Sequence, residues 1–342
     1  MRIMTALPTS GRAWHLVSRP DGWPEPGDVA LREIPVDAPE EGRILVRNLY
    51  FSVDPAMRGR MNDVKSYVAP YRLDHPMDGG AVGEVIASAA EGFTAGDHVL
   101  HYGGWREYAS VPADRATKVD ASKAPLSTYL GVLGMTGLTA YAGLFETASF
   151  KEGDAVFVSG AAGAVGSQVG QMARIKGASR VIGSAGSDEK VRLLTEEYGF
   201  DAAFNYKNGP VKQQLKEAAP DGIDVYFDNV GGDHLEAAIS SFNLHGRATI
   251  CGMIAQYNST EPPPAPRNLA LVIGKRLRLQ GMLVLDHYGL MPRFVSDVSG
   301  WLASGELKYR ETVVEGIENG FDAFLGMLRG DNTGKMIVSL GQ

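Results

Sequence analysis

The sequence predicts an α/β protein in two parts, a doubly wound parallel sheet of Rossmann type and a smaller β-rich domain. Three observations carry that prediction. From Ala155 onward, short apolar runs alternate with helical stretches at the spacing of βαβ units. The first of those runs enters a glycine-rich turn that opens a helix. Residues 1–123 instead hold short apolar runs between Pro, Gly and Asp punctuation, with few helical stretches.

Taken in order, Ile44–Val46, Ala81–Ile86, His98–Leu100 and Tyr108–Val111 read as strands of the first domain. Ser127–Phe145 reads as a helix interrupted at Gly134–Gly137. Ala155–Ser159 is apolar enough for a strand buried on both faces, and Val165–Lys176 is the helix after it. Arg180–Ser184, Phe204–Tyr206, Val225–Asn229 and Arg247–Met253 supply further strands. Asp188–Tyr198, Val211–Ala218 and His234–Phe242 supply the helices between them. After a proline loop at Pro262–Pro266 come a strand at Arg276–Leu285, a helix at Met291–Ser304 and a last strand at Met336–Leu340. The expected division is residues 124–305 for the doubly wound sheet, and 1–123 with 306–342 for the β-rich domain.

Bulk properties narrow the function. The chain has 342 residues, 44% apolar and 21% charged, which suits two ordinary globular domains. A net charge of -7 opposes a phosphate-backbone partner but leaves room for one local basic pocket. Cys251 is the one cysteine, so an internal disulfide and a Cys-based zinc site are both out of reach. Met1 to Trp14 lacks an apolar signal core, and no run of 18 apolar residues occurs. The expectation is a soluble, cytoplasmic protein with a small-molecule partner, and neither nucleic acid nor membrane.

The strongest local signal runs from Ala155 to Gly166. A strand, a glycine-rich turn and a helix start let backbone approach a pyrophosphate, and the helix N-terminus adds free N–H groups and partial positive charge. Gly163 and Gly166 match the second and third glycines of the dinucleotide fingerprint, while Ala161, beside Gly160, replaces the first. A tight strand–helix turn without ligand is the bland alternative. Beyond the second strand, Gly183–Lys190 offers small residues, Ser187 as a donor and Lys190 as a charge, all suited to a 2′-phosphate. Asp188 is the rival, able to bind a ribose 2′-hydroxyl; Ser187-Asp188-Glu189 also reads as a helix cap with an acidic first turn.

These residues resemble the medium-chain dehydrogenase/reductase superfamily, and within it the prostaglandin reductase and alkenal/one double-bond reductase branch. The resemblance spans nearly the whole chain. Asn48–Arg58, Gly134–Tyr141, Ala161–Gly166, Gly186–Lys190 and Phe204–Lys207 carry it, followed by Phe227–Gly232, Cys251–Tyr257 and Gly330–Lys335. It implies a GroES-like, partly open barrel for the β-rich domain and NADP(H) as cofactor. By that resemblance Gly163, Ala164, Val165 and Gly166 hold the pyrophosphate and Lys190 the 2′-phosphate, with Tyr206 beside the adenosine phosphate. Asn229, Cys251, Met282, Leu283, Val284, Met135 and Thr139 belong to the nicotinamide end, and Asn332 closes over the cofactor. A turn asparagine is the rival reading of Asn332.

Zinc-dependent members of the superfamily would place their first ligand near Ser52 and their Gly-His-Glu segment at Asp78-Gly79-Gly80, where the residue types are wrong. His98 and His101 lie three apart on an expected strand and so on opposite faces. A conjugated enone needs no such Lewis acid. Hydride adds to its β-carbon, and charge collects on the carbonyl oxygen, where a donor lowers the barrier. Tyr257 is the candidate donor, with a loop tyrosine covering the cofactor as the alternative. Tyr50 resembles a pocket tyrosine of plant members, against a core aromatic; Tyr67 and Tyr71 are further substrate candidates. Quinone reduction, or NADPH binding without turnover as a sensor or scaffold, are the alternative functions. Arg276–Leu285 is open either to edge-to-edge pairing with a second copy, which would give the homodimer that relatives form, or to a place inside the sheet.

Overall fold

A computed structural model describes residues 7–341. Its contacts divide the chain into two units. One runs to Leu130 and takes back Thr312–Asp331 and the residues from Met336; the other is Gly131–Glu311 with Asn332–Lys335. In the first unit, β1 (Ser10–Leu16) and β2 (Val29–Pro35) form an antiparallel hairpin that the sequence pattern did not announce. Then come β3 (Arg43–Ser52), α1 (Ala56–Arg60), β4 (Ala81–Ser88), β5 (His98–His101), β6 (Tyr108–Pro112) and β7 (Thr117–Val119). Buried Ile44, Val46, Val85, Val99, Ala109 and Val111 make one of its core clusters. Branched side chains on alternate positions favour this pleated packing.

The second unit begins with α2 (Met135–Ala142), β8 (Ala155–Val158), α3 (Gly166–Ile175), β9 (Arg180–Ala185), α4 (Asp188–Arg192) and β10 (Ala202–Asn205). It continues through α5 (Val211–Ala218), β11 (Ile223–Asp228), α6 (Gly232–Ser241), β12 (Phe242–Ile250), α7 (Ala270–Lys275), β13 (Arg278–Gly281) and α8 (Met291–Ser304). The six strands lie parallel in the order β10-β9-β8-β11-β12-β13. Phe157 and Tyr226 stack across neighbouring β8 and β11 at 5.0 Å and 13°, a geometry that adds to their area burial. Strand order reverses between β8 and β11, which opens a crevice at their carboxyl ends, where such sheets bind ligands.

Several boundaries moved for local reasons. The expected helix Ser127–Phe145 is a 3-10 turn (Leu126–Leu130), then α2, then a wide turn at Gly143–Thr147. Leu126 and Leu130 pack with Val82 and Ile337, so the first unit extends to Leu130 where the sequence texture suggested 123. Asp188–Tyr198 likewise splits at Leu193 into α4 and a wide turn. Tyr206 leaves the expected third strand and opens a 3-10 turn, Tyr206–Asn208. The strand expected at Arg247–Met253 is shifted to Phe242–Ile250, and the one at Arg276–Leu285 shortens to β13. Arg276 takes a left-handed backbone (φ 52°) that closes α7, and Val284–Leu290 winds into 3-10 turns.

The tail adds β14 (Glu311–Glu315), α9 (Gly320–Arg329) and β15 (Lys335–Ser339). β15 pairs antiparallel with β3 and completes a sheet of order β14-β15-β3-β4-β5-β7, with β6 also on β3. Between α9 and β15 the chain contributes Asn332–Lys335 to the second unit.

Candidate active site

The glycine-rich turn has the close packing the fingerprint requires. A Cβ on Gly166 would stand 2.5 Å from the Gly160 carbonyl oxygen and 2.8 Å from the Ala161 Cα, both backbone atoms that cannot give way. Only glycine lets α3 start so near β8. Its leading N–H groups, around Val165 and Gly166, lack intrahelical acceptors as at any helix start. The Ser167 N–H is spent on the Gly163 carbonyl at 3.1 Å. The segment after α9 braces this turn. The Gly334 N–H donates to the Ala162 carbonyl at 2.8 Å, and Gly163 and Gly334 form a parallel bridge. Asn332 donates its amide to the Gly334 carbonyl at 2.7 Å. Gly334 holds φ 68° with its α-carbon against the Arg310 carbonyl, so no side chain fits there. Asn332 is thus both a turn residue and a neighbour of the glycine-rich loop.

At the end of β9, Ser187 caps α4, its hydroxyl accepting the Lys190 N–H at 3.3 Å. Lys190 is half-buried and next to it in space. The Tyr206 ring covers Gly186: a Cβ there would meet the phenol oxygen at 3.1 Å. His234 packs edge-on to Tyr206 at 5.4 Å. Tyr206 therefore lies over the residue before Ser187, and Lys190 follows in the first turn of α4. Asp188 is already engaged, with one carboxylate oxygen accepting from Asn205 at 2.8 Å and Asn208 at 3.1 Å. Those two bonds hold its carboxyl below the usual carboxylate range.

At the strand reversal, Asn229 follows β11 and lies beside Gly160. Its N–H donates to the Ser159 hydroxyl at 2.9 Å and its amide to the Ser159 carbonyl at 2.8 Å. Beneath it Asp228 is fully buried. One of its oxygens accepts from the Tyr226 phenol, the Ser159 hydroxyl and the N–H groups of Val230 and Gly231, at 2.7–3.2 Å. The other has no partner among the described residues. Burial, the larger effect, raises this carboxyl above its ordinary range, and the Gly231 N–H leads the bonds that oppose the rise. Sequence reasoning passed over Asp228 as a site residue, although an acid at the carboxyl end of a central parallel strand was a usable signal.

After β12 the chain turns over the same strand end. The Cys251 and Gly252 N–H groups donate to the Asp228 carbonyl at 2.9 and 3.0 Å. Burial pushes the Cys251 thiol up to about 12, with Asp228 adding to the rise, so it is a neutral thiol near pH 7. Tyr257 ends a 3-10 turn, and its phenol oxygen accepts the Met253 N–H at 3.3 Å. An accepting role is compatible with donating its own proton. The Met282 N–H donates to the Ile250 carbonyl at 3.0 Å; Leu283 is half-buried and Val284 buried. Thr139 is buried in α2 and gives its hydroxyl proton to the Met135 carbonyl at 2.7 Å, which leaves it only acceptor capacity. Met135, at the start of α2, is half-buried.

The substrate tyrosines of the first unit differ among themselves. Tyr50 is half-buried in β3 and packs with Val82, Leu130 and Ile337, which favours its core reading. Tyr67 is exposed. Tyr71 is buried, its phenol donating to the Asp78 carbonyl at 2.8 Å and its ring 4.0 Å beneath the Arg60 guanidinium. Its hydroxyl is committed to the fold, so it is a poor substrate contact. The positions where zinc-dependent relatives carry ligands are neighbours here: the Ser52 N–H donates to the Gly80 carbonyl at 2.8 Å. Ser52 gives its hydroxyl to Asp54 at 2.5 Å, and the buried Trp105 indole donates to the Ser52 carbonyl at 3.2 Å. A serine, glycines and an indole are not a zinc donor set. His101 is buried with Nδ1 accepting the Gly103 N–H at 3.0 Å.

Comparison with known proteins places this arrangement in context. Residues 12–119 match the family described as N-terminal domain of oxidoreductase, and residues 164–299 the family described as zinc-binding dehydrogenase. The NADPH-dependent curcumin reductase of Escherichia coli is 41% identical over 332 residues, covering 96% of each chain. The NADP(+)-dependent 2-alkenal reductase of Nicotiana tabacum is 42% identical over 327 residues, 94% of this chain and 95% of its own. The crystal structure of CurA in complex with NADPH from Vibrio vulnificus superposes with a TM-score of 0.92 at 41% identity, covering 97% of this chain and 99% of that one.

Proposed function

Since the chain belongs to the medium-chain dehydrogenase/reductase superfamily, in its zinc-independent prostaglandin and alkenal reductase branch, we propose that it is an NADPH-dependent reductase of carbon–carbon double bonds conjugated to a carbonyl. The observation that carries this reading is the near-full-length identity with relatives named for NADPH-dependent reduction of curcumin and 2-alkenals.

The residues fit the cofactor. Gly166 lets α3 start against the Gly160 and Ala161 backbone, with its N-terminus at the turn, and Gly163, Ala164 and Val165 shape the turn before it. Ser187, Lys190 and Tyr206 form a wall with donors for a 2′-phosphate. Asn229, Cys251, Met282, Leu283, Val284, Met135 and Thr139 are assigned to the nicotinamide end, and Asn332 to the cover over the turn. Bound there, NADPH supplies the hydride.

The chain's own contribution is to orient the enone and stabilise charge on its oxygen. Tyr257 has that role in this proposal: its phenol donates to the oxygen as the enolate forms. Tyr67 is proposed to contact substrate, while Tyr50 is read as a core aromatic. We further propose a homodimer formed along β13. That strand is the sheet edge, and Ile273, one turn before it, is 82% exposed.

The deciding experiment is an NADPH-consumption panel of alkenals, enones and quinones with product identification. Saturated aldehyde or ketone products support the proposal. Quinone turnover in place of enone turnover replaces it with quinone reduction, and NADPH binding without any turnover replaces it with a sensor.

A further inference from the structure

Resting on the NADPH reading above, we infer that Asn205 and Asn208 determine nucleotide choice by holding the Asp188 carboxylate away from the 2′-phosphate wall. Asp188 adjoins Ser187 and lies two residues before Lys190. An acid near the end of the second strand is the usual ligand of a ribose 2′-hydroxyl. Left unengaged beside a phosphate it adds like-charge repulsion.

In this fold the same Asp188 oxygen accepts from Asn205 at 2.8 Å and Asn208 at 3.1 Å. The Asn205 amide is itself oriented, because its carbonyl oxygen accepts the Lys207 N–H at 3.1 Å. That bond points the NH2 group toward Asp188. Both asparagines flank Tyr206 in the turn that lies over Gly186. One short loop thus supplies an aromatic cover for the ribose wall and a clamp on the acid that competes with it. The carboxyl sits below its ordinary range, so what is clamped is an anion.

The test measures binding of 2′,5′-ADP and 5′-AMP to the intact protein by calorimetry. The wild type binds 2′,5′-ADP more tightly. Asn205→Ala with Asn208→Ala weakens 2′,5′-ADP by about tenfold and changes 5′-AMP less than about twofold. Adding Asp188→Asn to that pair restores 2′,5′-ADP to within about twofold of wild type, because the released charge is gone. Equal losses for both ligands, or no recovery with Asp188→Asn, overturn the inference and leave the asparagines as loop packing. Should the double variant not fold, Asn208→Ala alone decides: the residue is exposed, and unchanged 2′,5′-ADP affinity overturns the inference. A wild type with no preference between the ligands removes the NADPH reading itself; a preference that survives every substitution removes only the clamp.

Discussion

Lys190 and Tyr257 are the two side chains on which the proposed chemistry turns. A charge-assisted contact to a phosphate contributes about 1.5–3 kcal/mol. Lys190→Ala is therefore expected to weaken NADPH at least about tenfold more than NADH, read as dissociation constants for each nucleotide; equal weakening would remove its phosphate role. Tyr257→Phe is expected to lower turnover by roughly two to three orders of magnitude while NADPH affinity stays close to wild type. Rapid-mixing kinetics under saturating cofactor measure this, and unchanged turnover excludes the phenol as donor. The Met253 N–H loses its acceptor in that variant, which costs about 1 kcal/mol, so a small fall in Tm accompanies the kinetic effect. Tyr71 was offered as a substrate contact from the place of its loop alone; Arg60 stacks on its ring and the Asp78 carbonyl accepts its hydroxyl.

Among elements, the parallel strands were readable because short apolar runs with glycine or helix on either side have few other uses. The β1–β2 hairpin was missed, since Val29–Pro35 is only partly buried and carries Arg32 and Glu33 among its apolar residues. α9 was missed because its apolar face lies in a tail whose texture is mixed. The clamp on Asp188 was invisible for a different reason. It joins residues 17 and 20 positions apart in sequence through a register that only the β9–β10 pairing sets. The turn before α3 was legible to within one residue at each end, and its geometry makes a sharp prediction. Gly166→Ala must push α3 off backbone atoms at 2.5 and 2.8 Å. A loss of about 1–3 kcal/mol in stability and a fall in NADPH affinity of more than about tenfold are expected from thermal melts and titration. A protein that melts and binds as wild type would show that α3 does not need that proximity.

For the whole molecule, each unit carries a buried imidazole that resists protonation. Burial pulls His101 down to about 3 and His234 down to about 4, from 6.5. An unfolded chain regains the ordinary value and takes up protons first as the pH falls. Stability is thus complete above about pH 6.5 and declines as the pH drops toward 4, by on the order of 2–3 kcal/mol per histidine. Denaturant melts between pH 7 and 4 test this; His234→Gln should flatten the slope, and an unaltered slope would assign the acid loss to other groups. Ile273→Glu is expected to shift the protein from dimer to monomer in sedimentation without lowering its Tm; an unchanged mass sets the dimer elsewhere or removes it. The brace on the glycine-rich turn has a consequence for biosynthesis. Gly334 is made about 170 residues after Gly163, roughly ten to thirty seconds of ribosome travel. The nascent chain shapes its phosphate loop early, yet that loop waits for its strut. A ribosome stalled before Gly334 would hold a sheet whose Ala162 carbonyl still lacks that donor.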